Sequence, residues 1–364
     1  MTETAQMRGR VVCAMSGGVD SSVAAALLQR QGYEVIGVTM QIWPDQSDSE
    51  RACCSLSAVN DARRVASSLG IPHYVLNMQD EFRAAVIDDF IREYRAGRTP
   101  NPCIQCNRYI KFALLLDRAR ELGAEYLSTG HYARIVFHED VQRWSVHRGF
   151  DPRKDQSYAL YSLTQEQLAH TLLPLGEMEK TQTREIAREL GLRVASKPDS
   201  QEICFVPDND YGRFLREAAP EIAQPGRIVA QDGTTIGRHE GIAFYTIGQR
   251  RRLDITVREP RYVTALDAAT NTVVVGLPDD LLRHTVRATD ITFGKWTPEL
   301  LATPRPVTAT LRYKMTAQPA TAAYADGQLL VTFTTPQRAI TPGQMLVCYD
   351  SDDIVCGGVI IGAG

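Results

Sequence analysis

The chain has 364 residues, 44% of them apolar, and sets 40 Lys+Arg against 43 Asp+Glu for a formal net charge of −3. That length calls for two or three domains of ordinary globular composition. No apolar run approaches the roughly 20 residues of a membrane helix, the N-terminal MTETAQMRGR lacks the apolar stretch of a signal peptide, and the charge argues against indiscriminate nucleic-acid binding while leaving room for a local basic face. A cytoplasmic protein with no membrane partner is expected. Its eight cysteines are then free, catalytic or metal-bound thiols rather than a disulfide framework.

Taken in order, the first 200 residues alternate strand-like and helix-like segments. VVCAM (11–15) is a short apolar run, and a helical pattern follows it to Gly32. EVIGVTMQIW (34–43) reads as a strand, SLSAVNDARRVASSLG (55–70) as a helix, and PHYVLNM (72–78) as a strand. A helix over about 80–96 closes at Gly97. Beyond a cysteine loop, YIKFALLLDRARELG (109–123) has helical spacing, and EYLSTGH (125–131) reads as another strand. This alternation predicts an α/β fold, a doubly wound parallel sheet with helices on both faces, whose ligands bind beyond the C-terminal strand ends.

Near residue 205 the pattern changes to short β-prone runs among glycines, with RYVTALDAATNTVVVG as a hairpin. From about 285 the chain is nearly all short strands (VRATDITFG, PVTATLRYK, QLLVTFTTP, GQMLVCYD, DIVCGGVII), which predicts a small antiparallel barrel. Three domains are therefore expected: 1–205 catalytic, 206–284 β-rich, and 285–364 a C-terminal β-barrel. There are no internal repeats.

Chemistry concentrates in two places. At the first strand–helix junction, Ala14-Met15-Ser16-Gly17-Gly18-Val19-Asp20-Ser21-Ser22 offers a tight Gly-Gly turn, backbone N–H groups, hydroxyls and a helix N-terminus, the ingredients of a pyrophosphate cradle. It is neither a Walker A loop nor G-x-G-x-x-G. Asp20, which bare phosphate would repel, is best placed to hold Mg2+. The bland alternative is a serine-capped Gly-rich βα turn. The second place is NPCIQCN (101–107). A Cys103-x-x-Cys106 pair is open to four readings: half a zinc site, a redox disulfide, part of an iron–sulfur site, or a nucleophile with a neighbour. Cys106 lies just ahead of the helix expected from 109, with Arg108 and Lys111 close by, a setting that lowers a thiol's pKa. Burial as a small hydrophobe is the competing view. Cys13, Cys348 and Cys356 read as strand packing, and Cys53-Cys54 carries no assignment.

The cradle resembles the PP-loop ATP pyrophosphatases, which include argininosuccinate, asparagine, GMP and NAD synthetases and several tRNA-modifying enzymes. NPCIQCN, TGHYAR (129–134), KDQSYAL (154–160), PDSQEICFV (198–206) and GRHEGIAFYTIGQRRRL (237–253) together resemble the tRNA-specific 2-thiouridylases (the MnmA/TrmU family), nearly end to end. The resemblance implies adenylation by ATP of the C2 oxygen of the wobble uridine and its replacement by sulfur. It implies reactive roles for Cys106 and Cys204, with Cys204 carrying a persulfide and the pair able to end as a disulfide. It further implies adenosine contacts from Met40 and Gly130. It assigns tRNA contacts to His131, Lys154, Asp155, Gln156, Arg312, Tyr313 and Gln344, with Arg250-Arg251-Arg252 as further basic residues. A flipped-out base of the anticodon arm would enter the cleft. The sulfur would come from a donor or persulfide carrier protein fed by a cysteine desulfurase.

Cys103 departs from the family, in which many members carry Asp there, so the acid–base role supposed for that carboxylate is in doubt for this chain. Three thiolates at Cys103, Cys106 and Cys204 can in principle hold a [4Fe–4S] cluster with one open iron. Two rival functions are another adenylating PP-loop synthetase, which would need an ammonia source and leaves the cysteines without work, and an ATP-dependent RNA-binding scaffold, which does not need Cys106.

Overall fold

The computed structural model describes residues 8–43, 56–198, 203–206, 208–257 and 259–364. They form two compact units. One contains the described residues up to Val86, Cys103–Asn209 and Asp352–Ile354; the other contains Ile87–Pro102, Asp210–Ser351 and Val355–Gly364.

The first unit is built on a parallel sheet of five strands, as the alternation predicts. Strands β1 (Arg10–Ala14), β2 (Glu34–Gln41), β3 (His73–Asn77) and β4 (Tyr126–Ser128) are followed by an antiparallel hairpin, β5 (Ala133–His138) and β6 (Arg143–Arg148), and then by β7 (Thr171–Leu172). The sheet order is β3-β2-β1-β4-β7, all pairs parallel. From β1 the chain steps outward to β2 and β3, then returns to β1's other side as β4. That reversal makes the β1/β4 boundary a topological switch point, where the loops after two neighbouring strands part and leave a crevice. Helix α1 (Val19–Arg30) follows β1 and is buried over most of its length, as its Val/Ala/Leu content requires. Helix α2 (Leu56–Leu69) buries Ala58, Val59, Ala62, Val65 and Ala66, a spacing of one face. Val11, Cys13, Val23, Leu28, Val35 and Val65 belong to one core.

One boundary differs from expectation with consequences for the site. The helix predicted from 109 begins at Pro102, as α3, with Pro102–Gln105 in ordinary helical form, Cys106–Leu114 widened to a π-helix, and Leu115–Glu121 α-helical again. Asn101-Pro102 reads as a turn, but proline at the first helical position costs no hydrogen bond and presets φ, so the same dipeptide starts a helix. The cysteines therefore lie in α3 rather than in a loop before it.

In the second unit, β8 (Gly226–Ala230), β9 (Thr235–His239), β10 (Tyr262–Asp267) and β11 (Thr272–Gly276) form a four-stranded sheet, with β10 and β11 as the expected hairpin. Strands β12 (Leu282–Phe293), β13 (Arg305–Thr310), β14 (Gln318–Ala325), β15 (Gln328–Arg338), β16 (Met345–Asp350) and β17 (Asp353–Ala363) make the barrel, closed by antiparallel pairing of β12 with β17. Closure removes the sheet edges, and Val286, Leu301, Phe333, Leu346 and Val355 fill the interior. Among the described residues no helix is long and apolar enough to cross a membrane.

Candidate active site

The loop between β1 and α1 opens at the switch point. Met15 N–H donates to Val38 O (2.7 Å), and Thr39 Oγ1 donates to Met15 O (2.7 Å), fixing the loop's first residue to β2. Thr39 has one proton and gives it to a carbonyl, so the 2.8 Å contact between Thr39 Oγ1 and His73 Nε2 is a donation from the imidazole. Met15 and Val19 are buried in the core, so only their backbones can face a ligand.

Gly17 and Gly18 are glycines for different reasons. Gly17 has φ +68, and a Cβ there would lie 2.2 Å from Ala58 O, so both conformation and packing against α2 demand glycine. Gly18, the N-cap of α1, has φ −97 and ψ 167, extended backbone open to any residue. Among the described residues a Cβ at Gly18 would meet only Ser16 Oγ, at 3.4 Å. Neither conformation nor packing among the described residues calls for glycine at 18, which leaves room for close approach of a ligand. The first-turn N–H groups of α1 have no intrahelical acceptor and Gly18 supplies no side-chain cap, so they point at that space. The residues present thus fit a nucleotide phosphate. Gly18→Ala should fold with a melting temperature within about 2 °C of the parent, since surface substitutions without a packing clash change little. It should nevertheless lose ATP affinity by at least about tenfold, because a methyl group excludes the phosphate. Gly17→Ala should be destabilised by about 2–4 kcal/mol through strain and overlap. Thermal melts and calorimetric titration check both, and wild-type ATP affinity in Gly18→Ala would refute the cradle.

The serines do less than the sequence promises. Ser21 Oγ accepts from Ser16 N–H (3.2 Å) and donates to Gly18 O (3.3 Å), and Ser22 Oγ donates to Gly18 O (2.8 Å). Both hydroxyls hold the loop; Ser16, whose Oγ lies 3.4 Å from Ser21 Oγ, is the exposed one of the three.

Asp20 is not poised as a bare magnesium ligand. Lys180 Nζ donates to both of its oxygens (2.6 and 2.7 Å), and Tyr132 OH donates to Oδ1 (2.8 Å). A metal there would have to displace the ammonium. Lys180 is buried, at the start of helix α4 (Lys180–Glu189), and its N–H donates to Asp151 Oδ2 (3.3 Å). Asp151 is itself held below the usual carboxylate range, first by the Arg153 guanidinium beside it. A second lysine reaches the loop: Lys197 Nζ donates to Gly17 O (3.1 Å) and to Asp61 Oδ2 (3.0 Å). Sequence reading missed Lys180, Tyr132 and Lys197.

Gly130 follows β4 and packs on α1's first turn, where a Cβ would lie 2.7 Å from Asp20 C and Ser21 N. Met40 stands at the C-terminal end of β2. His131 Nδ1 lies 2.6 Å from Thr129 Oγ1, and its ring centroid is 5.9 Å from that of Phe112. Burial, then the Lys111 ammonium, push its pKa well below the ordinary value, so the ring is neutral at pH 7. Lys111 is held by Asn107 Oδ1 (3.0 Å), and buried Asn107 donates to Ala159 O (2.9 Å).

Cys103, in the first turn of α3, is exposed; Cys106, which opens the π-helical segment, is 8% exposed; Cys204 is half-buried. All three are thiols rather than halves of disulfides. The expected loop setting for Cys106 is corrected to a buried helical one. Cys204 sits in a turn closed by Val206 N–H donating to Ile203 O (2.9 Å). Its neighbour Phe205 is buried, stacked on Trp43 (centroids 6.4 Å apart) and edge-on to Phe82 (5.9 Å). The helix Gln79–Phe82 also packs on the segment that begins at Cys106, so one short helix underlies both cysteine-bearing segments. Among the described residues no group of three His, Cys, Asp or Glu side chains is placed to hold a metal ion. Cys53-Cys54 and residues 199–202 lie outside the described residues.

Several residues expected to touch tRNA have internal work. Asp155 accepts from the N–H groups of Gly149 and Ser157 (3.0 Å each), from Ser157 Oγ and from Arg148. Gln156 Oε1 accepts from Tyr132 N–H (2.9 Å). Lys154 is half-exposed. In the second unit, Gln344 Nε2 donates to the carbonyls of Thr99 (2.9 Å) and Pro100 (3.2 Å). Arg312 and Tyr313 are exposed, as are Arg250, Arg251 and Arg252.

A parallel sheet with an anion cradle at its switch point, a Ser-Gly-Gly-x-Asp-Ser loop and a lysine on either side defines an ATP pyrophosphatase of the PP-loop class. The chain belongs to the tRNA-specific 2-thiouridylase family. It is 51% identical over 358 residues to the tRNA-specific 2-thiouridylase MnmA of Acetivibrio thermocellus, covering 96% of this chain and 99% of that one. Likewise it is 52% identical over 357 residues to the MnmA of Clostridium perfringens (96% and 98% covered). With the MnmA of Heliobacterium modesticaldum it shares 54% over 364 residues (98% and 93%). Family models match residues 9–208 (tRNA methyl transferase HUP domain), 212–277 (tRNA methyl transferase PRC-barrel domain) and 283–361 (aminomethyltransferase beta-barrel domain). The model descriptions speak of methyl transfer and the relatives' names of thiolation. A pyrophosphate cradle serves adenylation, which methyl transfer does not require.

Proposed function

We infer that the protein is an ATP-dependent tRNA-uridine 2-sulfurtransferase, acting on the wobble base in the cytoplasm. The observation that carries this is the phosphate cradle at the β1/β4 switch point in the unit that also holds Cys106 and Cys204. The C2 oxygen of uracil is a poor leaving group. Its attack on the α-phosphorus of ATP expels pyrophosphate and leaves an adenylated oxygen that departs as AMP. The backbone N–H groups of the cradle stabilise the pyrophosphate as charge develops on it.

The second half needs a sulfur nucleophile. Half-buried Cys204 carries it as a persulfide, loaded by a donor or a carrier protein that a cysteine desulfurase feeds. The terminal sulfur attacks C2, AMP leaves, and the thiolate of Cys106 then attacks Cys204 Sγ. This frees thiouridine and leaves a Cys106–Cys204 disulfide, which an external dithiol reduces. We prefer this route to a cluster-bound hydrosulfide because it needs only the two cysteines that the family resemblance marks as reactive, Cys106 and Cys204. The neutral His131 lines the approach to α3, on which Lys111 sits, and Lys154, Arg312 and Tyr313 contact the anticodon arm. Residues 206–284 and 285–364 hold the tRNA while 1–205 performs the chemistry, a division the matched ranges support.

The test is incubation with ATP, a persulfide donor and unmodified tRNA, followed by mass spectrometry of the nucleosides. Thiolated wobble uridine, with AMP and pyrophosphate formed and neither iron nor acid-labile sulfide in anaerobically prepared protein, is the expected result. ATP-independent methylation in the presence of S-adenosylmethionine, without thiolation, would overturn the reading.

A further inference from the structure

Lys197 stands out among the groups the mechanism leaves unused. It sits just after the 3-10 turn Arg193–Ser196, and Arg184 Nη1 pins this stretch by donating to the carbonyls of Ala195 (2.8 Å) and Lys197 (3.2 Å). The backbone is thus fixed so that the side chain reaches the phosphate loop, with Nζ 3.1 Å from Gly17 O and 3.0 Å from Asp61 Oδ2. Its side chain is 33% exposed. An ammonium has three donors; among the described residues two are engaged, which leaves the third for a ligand. The local charge points the same way. Asp61 also pairs with Arg64 (3.5 Å), so two cations share one carboxylate beside the loop, while Asp20 is already matched by Lys180. Among the described residues the surplus positive charge lies next to Gly17, whose carbonyl Lys197 touches.

Resting on the PP-loop reading above, we propose that Lys197 is the cation that binds the β- and γ-phosphates of ATP and accompanies the departing pyrophosphate. Charge-assisted contact with a phosphate oxygen needs only a small rotation of Nζ away from Gly17 O, and the pinned backbone keeps the ammonium in reach.

A purely structural tie between the 193–197 turn and α2 makes different predictions, which calorimetric titration of ATP, inorganic pyrophosphate and AMP separates. Lys197→Met should weaken ATP and pyrophosphate by about tenfold or more, the worth of a charge-assisted contact, and leave AMP within about twofold, because AMP lacks the phosphates concerned. Asp61→Asn removes the tie but keeps the ammonium, so it should bind ATP as well as the parent or better. Unchanged ATP and pyrophosphate affinity in Lys197→Met would overturn the proposal, and so would an equal loss in Asp61→Asn. If the unaltered protein binds no ATP, the PP-loop reading itself fails, an outcome distinct from a silent Lys197→Met.

Discussion

Cys106→Ala is expected to form no thiolated tRNA, a loss on the order of 10³-fold or more, as when a covalent nucleophile is removed. ATP affinity should be unchanged, because the cradle belongs to the β1–α1 junction and takes nothing from α3. Trimming one sulfur from a buried side chain should cost only about 1 kcal/mol of stability. The π-helical turn gives the thiol its setting. Within it, Lys111 lies one i→i+5 step from Cys106. The variant also separates the two cysteines. With Cys106 absent, sulfur delivered to Cys204 has no thiol to resolve it, so intact-mass analysis after donor treatment should show one added sulfur atom, lost again in the Cys106→Ala/Cys204→Ala double variant. Thiolation by Cys106→Ala at a tenth of the parent rate would remove Cys106 from the mechanism.

What the sequence revealed depends on how far apart the cooperating residues lie. The cradle is legible because Gly17, Gly18 and Asp20 are contiguous and sit where apolar run turns to helical spacing. Lys180 and Lys197 bind that loop from 160 and 180 residues away, and nothing local in the sequence distinguishes them from other lysines. Only the return of the chain beside β1 brings them in. The start of α3 was obscured because Asn-Pro suits a turn and a first helical turn equally. Strand β14, QPATAAYA, escaped because alanine and proline are poor strand signals; its place is set by pairing with β13 and β15. The same limit applies to side-chain roles. Asp155, Gln156 and Gln344 are polar residues in motif positions, but whether they face a ligand or the protein's own backbone is decided by neighbours that periodicity does not reveal.

Lys180→Met should cut ATP affinity by about 10²-fold. Lys180 is the buried partner that neutralises Asp20 at the entrance to α1, with side-chain exposures of 9% and 30%. Removing the ammonium leaves a carboxylate facing the phosphates. At about 5 Å and an effective dielectric near 20, that repulsion is roughly 3 kcal/mol, or about 10²-fold in affinity. Stability should fall too, by on the order of 2 kcal/mol, since a half-buried charge loses its partner. Pairing this variant with Asp20→Asn decides what Asp20 is for. If the pair serves to keep the loop neutral, Asp20→Asn/Lys180→Met removes both charges and should recover most of the lost affinity, to within about threefold of the parent on double-mutant logic. Should the double variant instead bind magnesium ATP as poorly as Lys180→Met alone, the carboxylate would be required in its own right. Asp20 would then have to leave Lys180 for the metal when the nucleotide arrives. Tyr132 OH lies within hydrogen-bond distance of both Asp20 Oδ1 (2.8 Å) and Thr183 Oγ1 (2.9 Å) but has one proton, so it would turn from Asp20 to Thr183 as the carboxylate swings away. The ion pair is in this view the resting clasp of the phosphate loop, and its strength sets how readily the loop accepts ATP.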